Sequence, residues 1–149
     1  MTSAGGSGAT GGFPSSEAEF ASLALEPEVT AVVCGWDAEL TWGKLAVASA
    51  YLQSGVPLVA TNPDVANKVG GRLMPENGAQ VAALMAAAGL RDEDVVVVGK
   101  PSAEIVNTLV RKWDLDRART IMVGDRLDTD VVFGNRAGIA TALVLSGVF

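Results

Sequence analysis

The sequence predicts an α/β fold built around a parallel sheet. Short apolar segments rich in valine and other β-branched residues alternate along the chain with longer segments whose apolar residues recur three or four positions apart. The short segments are apolar throughout rather than alternating, as in strands that are buried on both faces. Strands that alternate with helices in this way are typical of parallel sheets joined by crossover helices.

The predicted elements are separated by clear turn signals. The predicted strands, all short and apolar, are residues 30–36, 56–60, 95–98, 120–123 and 140–145. The predicted helices, all with apolar residues at helical spacing, are residues 38–53, 78–89, 102–113 and 127–137. Ser102 follows a proline and is predicted to cap the third helix, while glycine ends the other three. Residues 62–76, rich in Gly, Pro, Asn and Asp, are predicted to form a loop or a small irregular excursion.

Composition and charge exclude several classes of protein. The net charge is −6 and no basic cluster stands out, so neither a nucleic acid nor an anionic membrane surface is an expected partner. No apolar run reaches the length of a membrane span and no targeting pattern is recognisable, so the cytoplasm is the default expectation. The single cysteine, Cys34, cannot form a disulfide within the chain and is predicted to be buried. The chain has no histidine, which excludes Ser-His-Asp triads and histidine zinc sites.

The sharpest motif is MVGDRLDTD at residues 122–130. Asp125 follows the glycine at the end of a predicted strand, and Asp130 comes in the first turn or so of the next helix. This spacing lets two carboxylates approach one point, as Mg²⁺ or a similar oxygen-preferring cation requires. The alternative is that acidic residues simply favour a helix N-terminus, which explains Asp128 better than a metal does. For Asp125 we favour the metal.

A second motif, GKPS at residues 99–102, follows the valine-rich strand and precedes a helix. Short, stiff connections there would hold Lys100 where it can neutralise a phosphate or an aspartate nucleophile. A Walker A phosphate-binding loop is excluded, because Asp94 and Pro101 occupy positions where that loop requires glycine and a hydroxyl residue. A solvated surface lysine is the alternative, and GKPS alone does not decide between the two.

Together, the two motifs resemble the third and fourth motifs of haloacid dehalogenase-type phosphatases, in which Lys-Pro-Ser and a GDRLDTD-like segment are separated by a helix and a strand. Residues 26–64 resemble the mobile cap of the subgroup that contains phosphoglycolate, 4-nitrophenyl phosphate and pyridoxal phosphate phosphatases. The Gly-Phe-Asp of that cap is matched by residues 35–37, its Thr-Asn-x-Asp loop by residues 61–64, and its Gly-Pro-Gly-rich loop and helix by residues 71–84. The resemblance runs from about residue 20 to residue 149.

The resemblance implies an incomplete Rossmann-like hydrolase core, without its first strands, together with an α/β cap. Residues 1–19 would be a flexible Gly/Ser-rich tail, residues 20–90 the cap portion that selects substrates, and residues 91–149 the C-terminal half of the core. Caps of this subgroup commonly meet across dimers, so a homodimer through the cap is one assembly that the resemblance implies. The oligomeric state stays open.

The resemblance also implies a role for each matched site residue. Lys100 would contact the phosphate and the nucleophile, Asp125 would bind Mg²⁺ directly, and Asp130 would orient a metal-bound water or its neighbour without binding the metal itself. The cap residues implied to bind the substrate are Thr61, Asn62 and Asp64. The expected activity is Mg²⁺-dependent hydrolysis of a small phosphorylated metabolite through a phospho-aspartyl enzyme. Phosphoglycolate is the first expectation for that metabolite, and the absence of histidine disfavours pyridoxal phosphate.

The sequence departs from the family pattern at its nucleophile. The family carries an Asp-x-Asp segment and a hydroxyl-bearing motif upstream of the cap, whereas no aspartate precedes Asp37 here. We therefore expect a truncated phosphatase that is inactive alone. The alternative is a binding or regulatory module that keeps the cap and part of the Mg²⁺ and phosphate pocket without turnover. An unrelated flavodoxin-like domain is disfavoured because both motifs match. Within the cap, Glu76-Asn77 replaces the small glycine pair of the subgroup.

Overall fold

The computed structural model describes residues 12–146, and it confirms an α/β fold with parallel strands. The strands of the first sheet, all parallel and in the order β1-β2-β5, are β1 (Val32–Cys34), β2 (Leu58–Ala60) and β5 (Val95–Val97). An antiparallel hairpin consists of β3 (Ala66–Val69) and β4 (Arg72–Pro75). The last two strands, parallel to each other, are β6 (Ile121–Gly124) and β7 (Ala140–Leu143).

Five α-helices accompany these strands in the described part of the chain. They are α1 (Glu17–Ala21), α2 (Trp42–Gln53), α3 (Asn77–Ala88), α4 (Glu104–Trp113) and α5 (Val132–Ala137). Helix α2 begins later than predicted because the Thr41 side chain accepts a hydrogen bond from Lys44 N and so caps the helix there. Helix α3 ends as predicted, with Gly89 in the left-handed conformation at φ 70°.

The prediction of a loop over residues 62–76 is wrong, because β3 and β4 form a regular hairpin within it. Gly70 and Gly71 make its two-residue turn with φ values of 55° and 80°, the positive region that hairpin turns of the primed types require. All the residues of both strands are exposed, so neither strand shows the alternation of apolar and polar residues that marks a half-buried strand.

The predicted cap of the third helix also needs correction. The residue at the N-terminal boundary of α4 is Ala103, and it provides no side-chain hydrogen bond. Ser102 lies one residue earlier, where its hydroxyl accepts a hydrogen bond of 3.4 Å from Glu104 N. The serine thus still contacts the first turn, although it is not the boundary residue.

Two separate apolar clusters form the core. The first lies between the β1-β2-β5 sheet and helices α2 and α3, and its buried members are Cys34, Leu52, Leu58, Ala60, Val81 and Leu84. The second lies between α4, α5 and the β6-β7 pair, and its buried members are Val106, Phe133, Ala137 and Ile139. The predicted burial of the cysteine is confirmed. Within residues 12–146, the structure has no helix with the length and apolar character of a membrane span.

The predicted division of the chain into tail, cap and core stays a prediction. Residues 1–11 of the expected tail lie outside the described residues. In the remainder, Pro14 is buried and Ser16 caps helix α1. The boundary at residue 90 falls between α3 and β5, and β5 pairs with β2 of the sheet that precedes it.

Candidate functional site

The candidate site lies at the edge of the sheet where β1, β2 and β5 end. The chain leaves this edge at residues 35–37, 61–64 and 98–100, because all three strands run in the same direction. Hydrogen bonds of 3.0 Å from Thr61 N to Cys34 O and from Val98 N to Ala60 O extend the pairing by one residue. The connection after β2 and the one that carries Lys100 adjoin so closely that a Cβ on Gly99 would overlap the Thr61 carbonyl.

An ion pair joins the two sequence motifs. Lys100 Nζ lies 2.6 Å from Asp130 Oδ1, and the aspartate is only 4% exposed while the lysine reaches solvent. The other oxygen, Oδ2, accepts hydrogen bonds from Asp125 N at 3.1 Å and Arg126 N at 3.2 Å. Burial alone would raise the pKa of Asp130, but the hydrogen bonds and the lysine charge outweigh it and hold the pKa below its ordinary value.

A wide turn after β6 brings Asp130 into this position. Residues Leu127–Val131 form a turn of π-helix, in which Asp130 N and Val131 N both donate to Arg126 O at 3.1 and 3.2 Å. The turn directs the Asp130 carboxylate back against the end of β6. A Cβ on Gly124 would overlap that carboxylate, so the glycine is required there by space.

The remaining acidic residues of the motif lie nearer to solvent. Asp125 is half-buried at the end of β6. Asp128 is exposed and pairs with Arg126 through two hydrogen bonds, Nε to Oδ1 at 3.1 Å and Nη2 to Oδ2 at 2.9 Å. These bonds lower the pKa of Asp128 and raise that of Arg126, to which the charges of Asp64 and Asp125 also contribute. The charges of Asp64, in the loop after β2, and of Asp125, after β6, therefore both act on Arg126.

The three cap residues of the predicted site lie in one loop and contact one another. The Thr61 hydroxyl is 3.5 Å from Asn62 Oδ1, and Asn62 Nδ2 donates to Asp64 Oδ2 at 3.1 Å. Thr61 is exposed, whereas the other two are half-buried. The structure thus brings the predicted cap residues next to the segment that carries Lys100.

The sequence interpretation missed two residues at the start of α3 that hold these loops. The Asn77 side chain is fully buried and bonds to both the β1 and the β2 ends, and the Gln80 side chain bonds to both the N–H and the carbonyl of Asp37. The available signal was their position: both are polar residues in an otherwise alanine-rich, apolar helix. Such residues in a buried helix need hydrogen-bond partners.

The loop after β1 has further contacts besides those to Gln80. Asp37 Oδ2 lies 2.7 Å from Lys44 Nζ, and its Oδ1 accepts a hydrogen bond from Glu39 N at 2.8 Å. The hydrogen bond from Lys44 is the main cause of the lowered pKa of Asp37. Trp36 Nε1 donates to Pro75 O at 3.3 Å and so connects this loop to the hairpin. The Asp37 carboxylate therefore has partners that are only 2 and 7 residues away along the chain.

The donor set fits a magnesium ion only in part. Nowhere in residues 12–146 do three or more Cys, Asp or Glu side chains converge on one point. Asp125 can offer one carboxylate, and Asp130 lies beside it with both oxygens already engaged. Mg²⁺ is commonly held by one or two carboxylates, with water and substrate phosphate completing its six ligands. The residues present match that kind of site and not an all-protein cage.

Comparison with known proteins points to one family. Residues 97–149 match the family described as HAD-hydrolase-like. The chain is 43% identical to the glycerol-3-phosphate phosphatase of Gallus gallus over 136 residues, which are 88% of this chain and 42% of that protein. It is 40% identical to the chronophin of Homo sapiens over 124 residues, which are 82% of this chain and 41% of that protein. The chain thus spans about two fifths of the length of these curated relatives.

Solved structures agree with the sequence matches. The glycerol phosphate phosphatase of Mycobacterium tuberculosis, solved in complex with calcium, superposes with a TM-score of 0.72 at 38% identity, covering 82% of this chain and 35% of that one. The thermostable NPPase of Geobacillus stearothermophilus superposes with a TM-score of 0.71 at 38% identity, covering 80% of this chain and 47% of that one. Both similarities extend over most of this chain and less than half of the other.

Proposed function

The chain belongs to the haloacid dehalogenase superfamily of phosphatases, and on that premise we propose that its site serves the Mg²⁺-dependent hydrolysis of small phosphate esters. The observation that carries the proposal is the 2.6 Å pair between Lys100 and Asp130, which joins the GKPS and GDRLDTD motifs. The pair lies beside the loop of residues 61–64. The lysine ammonium group, acidic side chains and a polar loop therefore meet at one edge of the sheet.

Each residue has a role that its surroundings support. Lys100 reaches solvent while its position is fixed by Asp130, so its ammonium group can neutralise a phosphate oxygen. Asp125 would be the carboxylate that holds Mg²⁺, and Asp130 would keep both the lysine and the Asp125 backbone in place. When bound, the cation neutralises charge on the phosphoryl oxygens. Thr61, Asn62 and Asp64 would contact the rest of the ester.

We also propose that these 149 residues alone do not hydrolyse phosphate esters. The family mechanism requires an aspartate aligned with phosphorus. Asp37 is bound to Lys44 and Glu39, and Asp64 is bound to Asn62, so neither is poised as a nucleophile. A misplaced nucleophile forfeits most of the advantage of proximity. The second candidate function is ester binding without turnover. It uses the same residues, and it differs from the first in that an added nucleophile segment would not restore hydrolysis.

The test is an assay with 4-nitrophenyl phosphate and millimolar Mg²⁺. The unmodified chain is compared with a fusion that carries a relative's upstream Asp-x-Asp segment. We expect turnover only from the fusion, and Asp125→Ala in the fusion should reduce it by about a hundredfold or more, since the metal ligand is lost. Asp128→Ala is the matched control and should have little effect.

Turnover by the unmodified chain that Asp125→Ala abolishes would overturn the proposal of inactivity. Equal losses from the Asp125 and Asp128 variants would overturn the metal assignment. Ester binding by a fusion that never turns over would favour the non-catalytic module.

The substrate and the assembly belong to the same proposal. Phosphoglycolate stays our first candidate, and the names of the relatives add glycerol 3-phosphate and 4-nitrophenyl phosphate to the panel. In the active fusion, Asn62→Ala should change KM for these esters unequally if the loop selects the substrate.

We also propose a homodimer through the cap and a cytoplasmic location, to be checked by sedimentation and by cell fractionation.

A further inference from the structure

We propose that Asn77 is a positioning residue that sets the conformation of the loop of residues 61–64, and thereby the choice of phosphate ester. This inference rests on the proposed function, in which that loop contacts the substrate. It adds a residue that lies outside both sequence motifs and outside the loop itself.

One buried amide spans the ends of two strands. Asn77 is 0% exposed, and its Nδ2 lies 3.2 Å from Cys34 O, 2.9 Å from Asn62 O and 3.4 Å from Thr61 Oγ1. Its Oδ1 accepts a hydrogen bond from the Cys34 thiol at 3.4 Å. Every polar atom of the side chain is therefore in use, and removal of the amide would leave the two carbonyls without these donors in a buried region.

The neighbouring residue of α3 supports the next part of the loop. Gly78 N donates to Asp64 O at 2.7 Å, and a Cβ on Gly78 would overlap the carbonyl of Pro63. The first turn of α3 thus holds the loop backbone at Asn62 and again at Asp64. The side chains of Asn62 and Asp64 bond to each other rather than to the helix. Their directions are consequently set by the backbone that Asn77 and Gly78 hold.

The other side of the loop faces the lysine segment. The Thr61 carbonyl lies so close to Gly99 that a Cβ there would overlap it, and Lys100 is the next residue. The loop is therefore held between the start of α3 and the segment that carries Lys100. A loop released from Asn77 would move with respect to the ammonium group that is proposed to bind phosphate. Asn77 thereby influences the distance between Lys100, the proposed phosphate contact, and the loop that is proposed to contact the rest of the ester.

Gln80 provides a matched control one helical turn later. Its Nε2 donates to Asp37 O at 2.6 Å and its Oε1 accepts from Asp37 N at 3.0 Å, so it holds the loop after β1 rather than the loop of residues 61–64. Both residues are polar side chains of the same helix that bond to loop backbones. Only Asn77 is expected to influence the substrate loop.

The experiment uses the 149-residue chain and two readouts for the variants Asn77→Ala, Asn77→Asp and Gln80→Ala. The first readout is amide hydrogen exchange at Thr61 and Gly78, whose N–H groups donate to Cys34 O and to Asp64 O, with the amides of β6 as an internal reference. The second is the ratio of the dissociation constants of phosphoglycolate and glycerol 3-phosphate, obtained by NMR titration. Asn77→Asp preserves the shape of the side chain and the acceptor for the thiol but loses the donated hydrogen bonds.

We expect both Asn77 variants to accelerate exchange at Thr61 and Gly78 by roughly tenfold relative to β6, the equivalent of one lost hydrogen bond. The ratio of the two dissociation constants should change by a similar factor. Gln80→Ala should leave both readouts at the wild-type value. If Asn77→Ala does not fold, Asn77→Thr, which can still donate one hydrogen bond, replaces it and should show a smaller change of the same kind.

Three results would overturn the inference. They are unchanged exchange in the loop, an unchanged ester ratio despite faster exchange, and a wild-type ratio in Asn77→Asp. Failure of the unmodified chain to bind either ester would instead count against the proposed function. In that case the substrate part of the inference falls with it, and the exchange rates still decide whether Asn77 positions the loop.

Discussion

At Asp130 a carboxylate stays ionised although its side chain is almost fully buried. The cost of burial is offset by one ammonium group and two backbone N–H groups, all within 3.2 Å of its oxygens. Because the pKa in the folded chain is below the ordinary value, the folded state gains stability from this group at pH values above about 4, the range of an unfolded aspartate. That contribution is lost as the pH falls through the lower, folded value.

Replacement of the Asp130 carboxylate should therefore change both the free energy of unfolding at neutral pH and its dependence on pH. We expect Asp130→Asn to lower the free energy of unfolding at pH 7 by about 1–3 kcal/mol, since Lys100 and the two N–H groups lose a charged partner. Between pH 5 and pH 2 the variant should lose less stability than the wild type. Urea denaturation at several pH values measures both effects.

Asp128→Asn is the control at the residue scale. Asp128 is exposed and bonded to a neighbouring arginine, so its removal should change neither the stability at pH 7 nor the acid limb appreciably. An acid limb that is identical in wild type and Asp130→Asn would show that Asp130 does not have the lowered pKa.

Among the elements, the end of β6 packs closely against the turn that follows it because Gly124 has no side chain. Gly124→Ala would place a methyl group against the Asp130 carboxylate, which cannot move without losing Lys100 or the backbone donors. We expect this variant to be destabilised by about 1–3 kcal/mol, the usual cost of overpacking, and to weaken the Lys100–Asp130 pair. Thermal unfolding and the carboxyl chemical shift of Asp130 measure the two effects.

Gly35→Ala is the matched control, because Gly35 also lies at the carboxyl end of a strand that has a parallel partner. A Cβ there would lie 3.5 Å from Thr61 Oγ1, an ordinary contact distance. It should change stability much less than Gly124→Ala does. Similar losses in both variants would mean that strand-end glycines are required for their backbone and not for the space beside Asp130.

How far each element could be predicted depended on its local sequence pattern. Val95–Val97 and the helix ended by Gly89 were predictable because a run of valines favours a strand and a left-handed helix end favours glycine. The expected burial of such strands on both faces was wrong, since Val96 is 51% exposed. Lys100 and Asp130 were singled out from recognisable motifs that follow strands, and the structure brings the two side chains together, while their roles stay a prediction. The β3-β4 hairpin was not, because fully exposed strands carry no apolar alternation. Asn77 was not, because its partners lie up to 43 residues away and no local pattern indicates them.

At the scale of the whole molecule, the first sheet has one covered face and one open face. Val33, Val59 and Val96 are paired across β1, β2 and β5 and point away from the apolar cluster, and Val33 and Val96 are 66% and 51% exposed. The neighbouring residues on the same strands belong to the cluster, where Leu58 is 0% exposed. The two faces should therefore respond differently to mutation.

We expect Val33→Thr and Val96→Thr each to change the free energy of unfolding by less than about 0.5 kcal/mol, as exposed sites do. Leu58→Ala should cost about 2–5 kcal/mol, because it opens a cavity in the cluster. Chemical denaturation at a single low protein concentration compares them. A cost at Val33 close to that at Leu58 would show that the open face is covered in solution, and sedimentation of the wild type would then identify a second copy.

The separation of the core into two clusters has a consequence for how the chain folds. No buried residue belongs to both clusters within residues 12–146, and the contacts of each are made largely by elements adjacent in sequence. Two such regions can gain or lose order independently, since neither depends on the other for its buried apolar surface. Cooperativity between them then depends on the contacts that join the two regions, of which the Lys100–Asp130 pair is one. The chain should behave as two folding units, for which a single melting temperature is not a complete description.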